Sequence, residues 1–430
     1  MNKKIAFKTL GCRLNQFETD AIAAQFKQNG YEVVENETDA DAVVVNSCTV
    51  TNQSDKKSRY AISQSLRKAK DPVLLVTGCM ATHYKDKLKE QHNIAYVVDN
   101  EHKTSVFQIL DSHFKGEVVD PELFKPDVFG FQTAHESFHT RSFIKIQDGC
   151  DNFCTYCIVP AVRGRAVSRP VDDILQNIRE VLADGYKEIV LTGVNITRYD
   201  YQGIFFTELV EKILNMEGDF RLRISSIEPE GFGDKFLDLL SHPKMTPHLH
   251  VCLQSGSDRI LLQMRRFYTL NTFREIISKI RSRIPDFNFT TDIIAGFPGE
   301  TDEDHTQTLE SIREFNFTHV HTFKYSKRDH TRAARMSMQV NEKLKNERSE
   351  EVRLLAEQLK AEYRKTFVGR KQRLLIERIE NGIARGYGEH YIPIELPIGD
   401  THIARNSFVD VVLKGFVEGH EDMAMSAEYA

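Results

Sequence analysis

Three cysteines, Cys150, Cys154 and Cys157, fall within one run, QDGCDNFCTYCIVPAVRGR at 147–165. The chain holds 7 cysteines in 430 residues, so the C-x3-C-x2-C spacing concentrates a scarce residue in one loop. Thiolates are soft ligands that suit iron–sulfur clusters, zinc and copper(I). A structural zinc wants a fourth protein ligand, usually from a second C-x2-C or H-x3-H pair, and none follows. Three thiolates on a 4Fe-4S cubane leave one iron without a protein ligand, open to a small molecule. The neighbours Asp148, Asp151, Asn152, Arg163 and Arg165 suit a solvent-reachable site better than a hydrophobic staple. A partial zinc knuckle is the competing reading.

Cys12, Cys48 and Cys79 are spread over the first eighty residues, and the elements around them matter more than their spacing. Lys4–Leu10, Ala42–Asn46 and Val73–Thr77 read as strands that end just before Gly11-Cys12, Ser47-Cys48 and Gly78-Cys79. Phe17–Gln28 and Ser54–Ala69 read as intervening helices, which implies an open parallel α/β sheet. Such sheets bind ligands along the edge formed by their carboxyl strand ends. The three thiols are therefore expected to converge on a second site; three unrelated buried cysteines are the alternative. Residues 100–140 read as a connector, with His102, His113, His135 and His139 solvated.

From 141 onward the strand–helix alternation repeats. Strands are expected at Ser142–Gln147, Glu188–Thr192, Arg221–Ser226, His248–Leu253, Asn288–Ile294 and His319–Tyr325. Helical patterns at Val171–Asp184, Phe206–Met216, Asp234–Leu240, Thr272–Arg283 and Thr301–Phe315 separate them. Six such units imply a partial (β/α)6 TIM-like barrel, whose function gathers in the loops after the strands. Glu228 and Glu230 stand in one such loop, either as buried site residues or as a solvated pair. Cys252 lies inside a strand and reads as core.

Beyond the barrel, Glu350–Lys365 reads as a helix in a basic stretch, where 15 Lys+Arg between Lys324 and Arg373 outnumber 7 Asp+Glu. Short alternating runs after Phe367, punctuated by Gly and Pro, imply a small antiparallel β-barrel of OB-like type. The formal net charge of −5 does not favour nucleic acid for the molecule as a whole, so any such contact must be local. No apolar run reaches the length of a membrane span or forms a convincing secretory leader, so a cytoplasmic protein with no membrane partner is expected.

With Tyr156 as the aromatic before its last cysteine, the triplet resembles the radical S-adenosylmethionine signature C-x3-C-x-aromatic-C. The resemblance implies that the open iron chelates S-adenosylmethionine (SAM) and that an electron from the cluster cleaves it to a 5′-deoxyadenosyl radical. It also implies SAM contacts at Gly193, Val194 and Asn195 of LTGVN (amino group), Gln254 and Ser255 of LQSGSD (ribose), and Gly296, Phe297 and Pro298 of IIAGFPGE (adenine), beside Tyr156. The whole order resembles the methylthiotransferases: an N-terminal domain (1–120), a radical SAM core (136–365) and a C-terminal TRAM domain (366–430). In that family the N-terminal cysteines, here Cys12, Cys48 and Cys79, hold a second 4Fe-4S cluster that carries the sulfur. One SAM donates a methyl group and another is the radical source. No residue beyond the cluster ligands is assigned a catalytic role.

The stretches TLGCRLNQFETD and NSCTVTNQSDKKSR look like the branch that modifies N6-threonylcarbamoyladenosine at position 37 of tRNA, at C2 of the adenine. The branch acting on isopentenyladenosine opens with a GCQMN-like motif, and the ribosomal-protein branch with GCPKN. The resemblance implies tRNA and an electron donor such as flavodoxin or ferredoxin as partners. A non-catalytic iron–sulfur carrier, or an RNA-binding scaffold holding zinc, are the readings from other classes.

Overall fold

The computed structural model describes residues 3–68, 72–133, 140–230, 232–399 and 401–430. In the N-terminal region β1 (Lys4–Thr9), β2 (Glu32–Val34), β3 (Ala42–Ser47), β4 (Val73–Gly78) and β5 (Tyr96–Val98) form one sheet of order β2-β1-β3-β4-β5. All of its pairings are parallel. The AVVVNS run of β3 is buried throughout, as expected of a strand covered on both faces. Because β1, β3 and β4 are neighbours, their carboxyl ends lie side by side. The two strands that the sequence pattern missed, β2 and β5, have three residues each, too few to show a period.

The central region contributes β6 (Arg141–Lys145), β7 (Glu188–Thr192), β8 (Arg221–Ile224), β9 (His248–Val251), β10 (Asn288–Ala295) and β11 (His319–Lys324). They follow one another in chain order and in parallel, which makes the partial (β/α)6 barrel. The sheet is broken at Ser225. Residues 221–224 pair with β7, whereas Ser226–Ile227 pairs with β9. Among the described residues β6 and β11 do not pair, so the barrel stays open on one side. The N-terminal helix Arg13–Gln28 packs against β6, and the helix Glu342–Lys365 packs along β11.

The last region is a closed barrel of β12 (Lys371–Glu380), β13 (Ile383–Tyr387), β14 (Pro393–Pro397), β15 (Phe408–Phe416) and β16 (Met425–Tyr429). Its pairings are antiparallel except for β14 with β16.

Several local expectations change. The long helix starts at Glu342, where the Asn341 side chain caps the Leu344 amide, and not at Glu350. Its basic residues are partly buried: Arg348 pairs with Glu300 and Asp302, so much of that charge faces the barrel. Cys252 is buried, but it sits just past the end of β9. His102 and His113 are not solvated: His102 Nδ1 lies 2.7 Å from Asp99 and His113 Nδ1 lies 3.0 Å from the Tyr96 hydroxyl. His135 and His139 fall outside the described residues.

A buried charge cluster joins the N-terminal sheet to the triplet loop. Glu18 accepts from Lys103 at 2.6 Å, Lys145 at 2.9 Å and Arg163 at 3.0 Å. Arg163 and Lys145 also meet Asp148, at 3.0 and 2.5 Å. Burial alone would raise the Glu18 pKa, but Arg163, Lys103 and Lys145 more than offset it and hold it well below the usual range. Its stabilising contribution is therefore present above the unfolded carboxylate range, about pH 4.3, and is lost as pH falls through the depressed folded value. Glu18→Gln leaves three buried cations facing one carboxylate and is expected to cost about 3–5 kcal/mol. It should also flatten the acid limb of stability against pH, read by circular dichroism in denaturant. An unchanged acid limb in Glu18→Gln would show that Glu18 is not the group that titrates.

Candidate active site

Cys150, Cys154 and Cys157 lie in the loop after β6 and line one cavity of about 270 Å³ at the carboxyl ends of the barrel strands. Tyr156, Val194, Asn195, Gln254, Glu228 and Arg266 share that lining. Each thiol is within reach of an N–H donor or of another thiol. The Asn152 amide approaches Cys150 Sγ at 3.5 Å, and Arg266 Nη1 approaches Cys154 Sγ at 3.2 Å. Burial pushes the Cys157 thiol up to about 12, and Cys154 adds to the shift; burial also raises Cys154, against the pull of Arg266. Thiols this reluctant to ionise become thiolates only when a metal displaces their protons. Together with N–H donors aimed at sulfur, this donor set fits a three-cysteine iron–sulfur site.

The two acids of the β8 loop separate. Glu228 lines the cavity and pairs with Arg266, while Glu230 pairs with Arg198 at 2.7 Å near the surface. Arg266 carries no sequence signal of its own. It sits in no Gly-rich loop, and only the fold brings it to Cys154.

Gly193 belongs to the same loop as Val194 and Asn195, but its role is steric. A Cβ there would lie 2.7 Å from Ile196 Cγ2 and 2.8 Å from the Gln147 carbonyl. The Gln147 side chain in turn accepts from the amides of Val194 and Asn195 at 3.0 and 2.8 Å. Gln254 holds a left-handed backbone at φ 69°. Ser255, Gly296, Phe297 and Pro298 do not line the cysteine cavity. Ser255 accepts from the Ser257 amide, and Phe297 packs edge-on against Tyr156 with centroids 6.4 Å apart. Gly296, at φ 74°, gives its amide to Glu300.

Cys12, Cys48 and Cys79 converge as the strand order requires. Cys79 adds to the upward push of burial on both the Cys12 and Cys48 thiols, and Arg163 opposes it at Cys12. A Cβ on Gly11 would sit 2.8 Å from Cys48 Cβ and 3.0 Å from its sulfur, at φ 97°. Gly11 thus permits the first and second cysteine loops to meet. The Asn100 amide reaches Cys79 Sγ at 3.6 Å. Cys12 is exposed, but into a second cavity, of about 610 Å³, that fills the barrel lumen. This cavity begins at His248, Asn288 and His319, the first residues of β9, β10 and β11, and reaches Asp292 and Phe323. Asp292 and Phe323 also line the triplet cavity, so the two spaces share a wall. The lumen was not anticipated from sequence, because its lining comes from alternate strand residues rather than from loops.

His250, Cys252 and Asp292 cluster at this wall with ligand atoms within 4.8 Å of one another. His250 Nε2 lies 3.2 Å from Asp292. Burial opposes ionisation of Asp292, but His250 more than offsets it, so the carboxylate stays charged.

Comparison with known proteins agrees with this geometry. Residues 4–99 match the model described as Uncharacterized protein family UPF0004, and residues 144–312 match the Radical SAM superfamily. The radical SAM methyltransferase TsrM from Kitasatospora setae, solved with cobalamin and a [4Fe-4S] cluster, shares the fold, with TM-score 0.54, 15% identity and 75% of each chain covered. The class defined by fold and site is thus radical SAM. The Threonylcarbamoyladenosine tRNA methylthiotransferase MtaB of Thermotoga maritima is 37% identical over 94% of both chains. Its Bacillus subtilis counterpart is 35% identical over 96% of this chain and 94% of its own. The chain belongs to the radical SAM methylthiotransferases and is MtaB-like. Membership of this family implies SAM and two 4Fe-4S clusters as its cofactors.

Gly11→Ala should displace the Cys48 thiol while leaving the Cys150–Cys157 loop intact. Iron and sulfide per anaerobically reconstituted chain are expected to fall from two clusters toward one. Full loading of the variant would show that Gly11 does not set the second site.

Proposed function

We propose that this protein transfers a methylthio group to C2 of N6-threonylcarbamoyladenosine at position 37 of tRNA, beside the anticodon. One SAM serves as methyl donor and another as radical source. Cys150, Cys154 and Cys157 are taken as ligands of the radical SAM cluster, and Cys12, Cys48 and Cys79 as ligands of the auxiliary cluster. When bound, the clusters and SAM supply one-electron cleavage on one side and sulfur on the other. The single observation that carries the reading is the shared wall: Cys12 opens on the lumen, the triplet opens on the adjoining cavity, and Asp292 and Phe323 line both.

The chain's own residues then have definite tasks. Tyr156, Val194, Asn195 and Gln254 offer SAM a lining beside the triplet. We also take Gly193 as shaping its amino-group loop, and Ser255, Gly296, Phe297 and Pro298 as the ribose and adenine sides. Arg266 donates to Cys154 and is itself held by Glu228. The Asp292–His250 pair fixes an ionised carboxylate between the two reacting spaces. A lumen of about 610 Å³ falls in the range that holds a small ligand, and so suits one modified base drawn out of a loop.

We read the chain as three units, 1–120, 136–365 and 366–430, working in the cytoplasm with a flavodoxin- or ferredoxin-like donor. No helix among the described residues is long and apolar enough to cross a membrane. The substrate branch is supported by the GCRLN and NSCTVTN runs and by the relatives' names.

Replacing Cys150, Cys154 or Cys157 with Ala should abolish 5′-deoxyadenosine formation. Replacing Cys12, Cys48 or Cys79 should leave SAM cleavage partly intact and stop methylthio transfer. For the substrate, mass spectrometry of tRNA nucleosides from a deletion strain should show loss of 2-methylthio-N6-threonylcarbamoyladenosine. If that nucleoside persists and its isopentenyl counterpart is lost instead, the branch is wrong.

A further inference from the structure

The lumen wall holds a cation that the protein leaves unmatched. Lys360, on the helix Glu342–Lys365, lines the cavity and is 8% exposed. Among the described residues its ammonium makes no hydrogen bond and no ion pair. Other lysines as deeply buried have partners: Lys103 and Lys145 meet Glu18, and Lys345 meets Glu342. Asp422 and Glu357 attract Lys360 from a distance, but neither closes to an ion pair.

Several other polar groups of this wall have protein partners, although the buried His248 Nδ1 has none among the described residues. Arg364 gives its guanidinium to the carbonyls of Asp422 and Met423. Arg13 donates to the Tyr391 hydroxyl at 3.2 Å. Asp292 is paired with His250. His319 and His321 lie 3.2 Å apart, and desolvation within the lumen lowers both, His319 to about 4. Burial and the nearby Arg364 hold the Lys360 ammonium below the ordinary lysine value. The Lys360 side chain is buried while its ammonium reaches the cavity without a partner, so an anion brought by a ligand would offset the cost of its partial desolvation.

We propose that Lys360 is the receptor for the carboxylate of the threonylcarbamoyl group, so that the lumen recognises the free acid on the base as well as the adenine ring. This rests on the substrate reading above. An isopentenyl group carries no charge and would leave the ammonium as bare as it is now. Lys360 is thus a specificity determinant that separates the two tRNA substrates.

The test uses anaerobically reconstituted full-length enzyme and two anticodon stem-loops, one with N6-threonylcarbamoyladenosine and one with its methyl ester. Wild type is expected to show a KM for the acid roughly tenfold or more below that for the ester, the usual size of a lost charge-assisted contact. Lys360→Met should abolish the difference between acid and ester, and Lys360→Arg should keep it. A merely structural role would raise both KM values alike and leave their ratio unchanged. That result would overturn the proposal, as would a wild type that treats acid and ester equally. A backbone phosphate at Lys360 would likewise leave the ratio unchanged. If wild type modifies neither stem-loop but accepts an uncharged adenosine, the substrate reading itself has failed and the carboxylate receptor falls with it. If wild type modifies the acid and Lys360→Met still discriminates, only the receptor falls.

Discussion

The arrangement depends on one buried ionic cluster. Glu18 from the first helix, Lys103 from the helical turn that follows the edge strand β5, Lys145 at the end of β6, and Asp148 and Arg163 around the triplet loop all meet out of water. Three cations face two carboxylates, so the cluster carries surplus positive charge. Arg163 acts on Cys12, and both Arg163 and Lys103 act on Cys79. The surplus therefore faces the N-terminal thiols. An anionic centre held by three thiolates is what would balance it, and buried charges are tolerated when they are matched. The same cluster fixes the distance between the two cysteine sites, because it is made from residues adjacent to each.

A second junction clarifies a motif that reads as a family label in sequence. In NSCTVTNQSDKKSR, Thr49, Asn52 and Asp55 hold the buried Arg328 at 2.7–2.8 Å. Arg328 follows β11, so the loop after Cys48 is locked onto the last strand of the barrel. Val50 and Thr51 of that loop line the triplet cavity. The motif is a clasp, and its threonine, asparagine and aspartate are the short polar side chains that meet both terminal nitrogens of one buried guanidinium.

Much of this was legible because the signals were local. The triplet has a spacing, Cys48 and Cys79 directly follow apolar β-branched strands, and parallel strand order alone brings Cys12 beside them. What was not legible depends on distant pairs. Arg266 reaches Cys154 across more than a hundred residues. Lys360 belongs to an unremarkable charged helix and becomes unusual only when that helix covers β11. The lumen histidines alternate along strands, His248 with His250 and His319 with His321, a period-two pattern that also suits a solvated strand face. His102 and His113, read as solvated in the connector, instead meet Asp99 three residues back and Tyr96 seventeen residues back, contacts that composition alone does not announce.

The C-terminal barrel is more than an appended module. Arg221, at the start of β8, donates to the carbonyls of Arg373 and Tyr387, which anchors the small barrel to the amino ends of the large one. From that anchor Tyr391 projects into the lumen, held in a left-handed backbone at φ 60°. Its hydroxyl accepts from Arg13 and Arg141 at 3.2 and 3.1 Å, and Arg223 lies 4.4 Å over its ring. One side chain thus touches the N-terminal cysteine loop, the first barrel strand and the third. An acidic domain poorly suited to grip RNA by charge can still shape the site, because its contribution is a tyrosine wedged where the three regions meet.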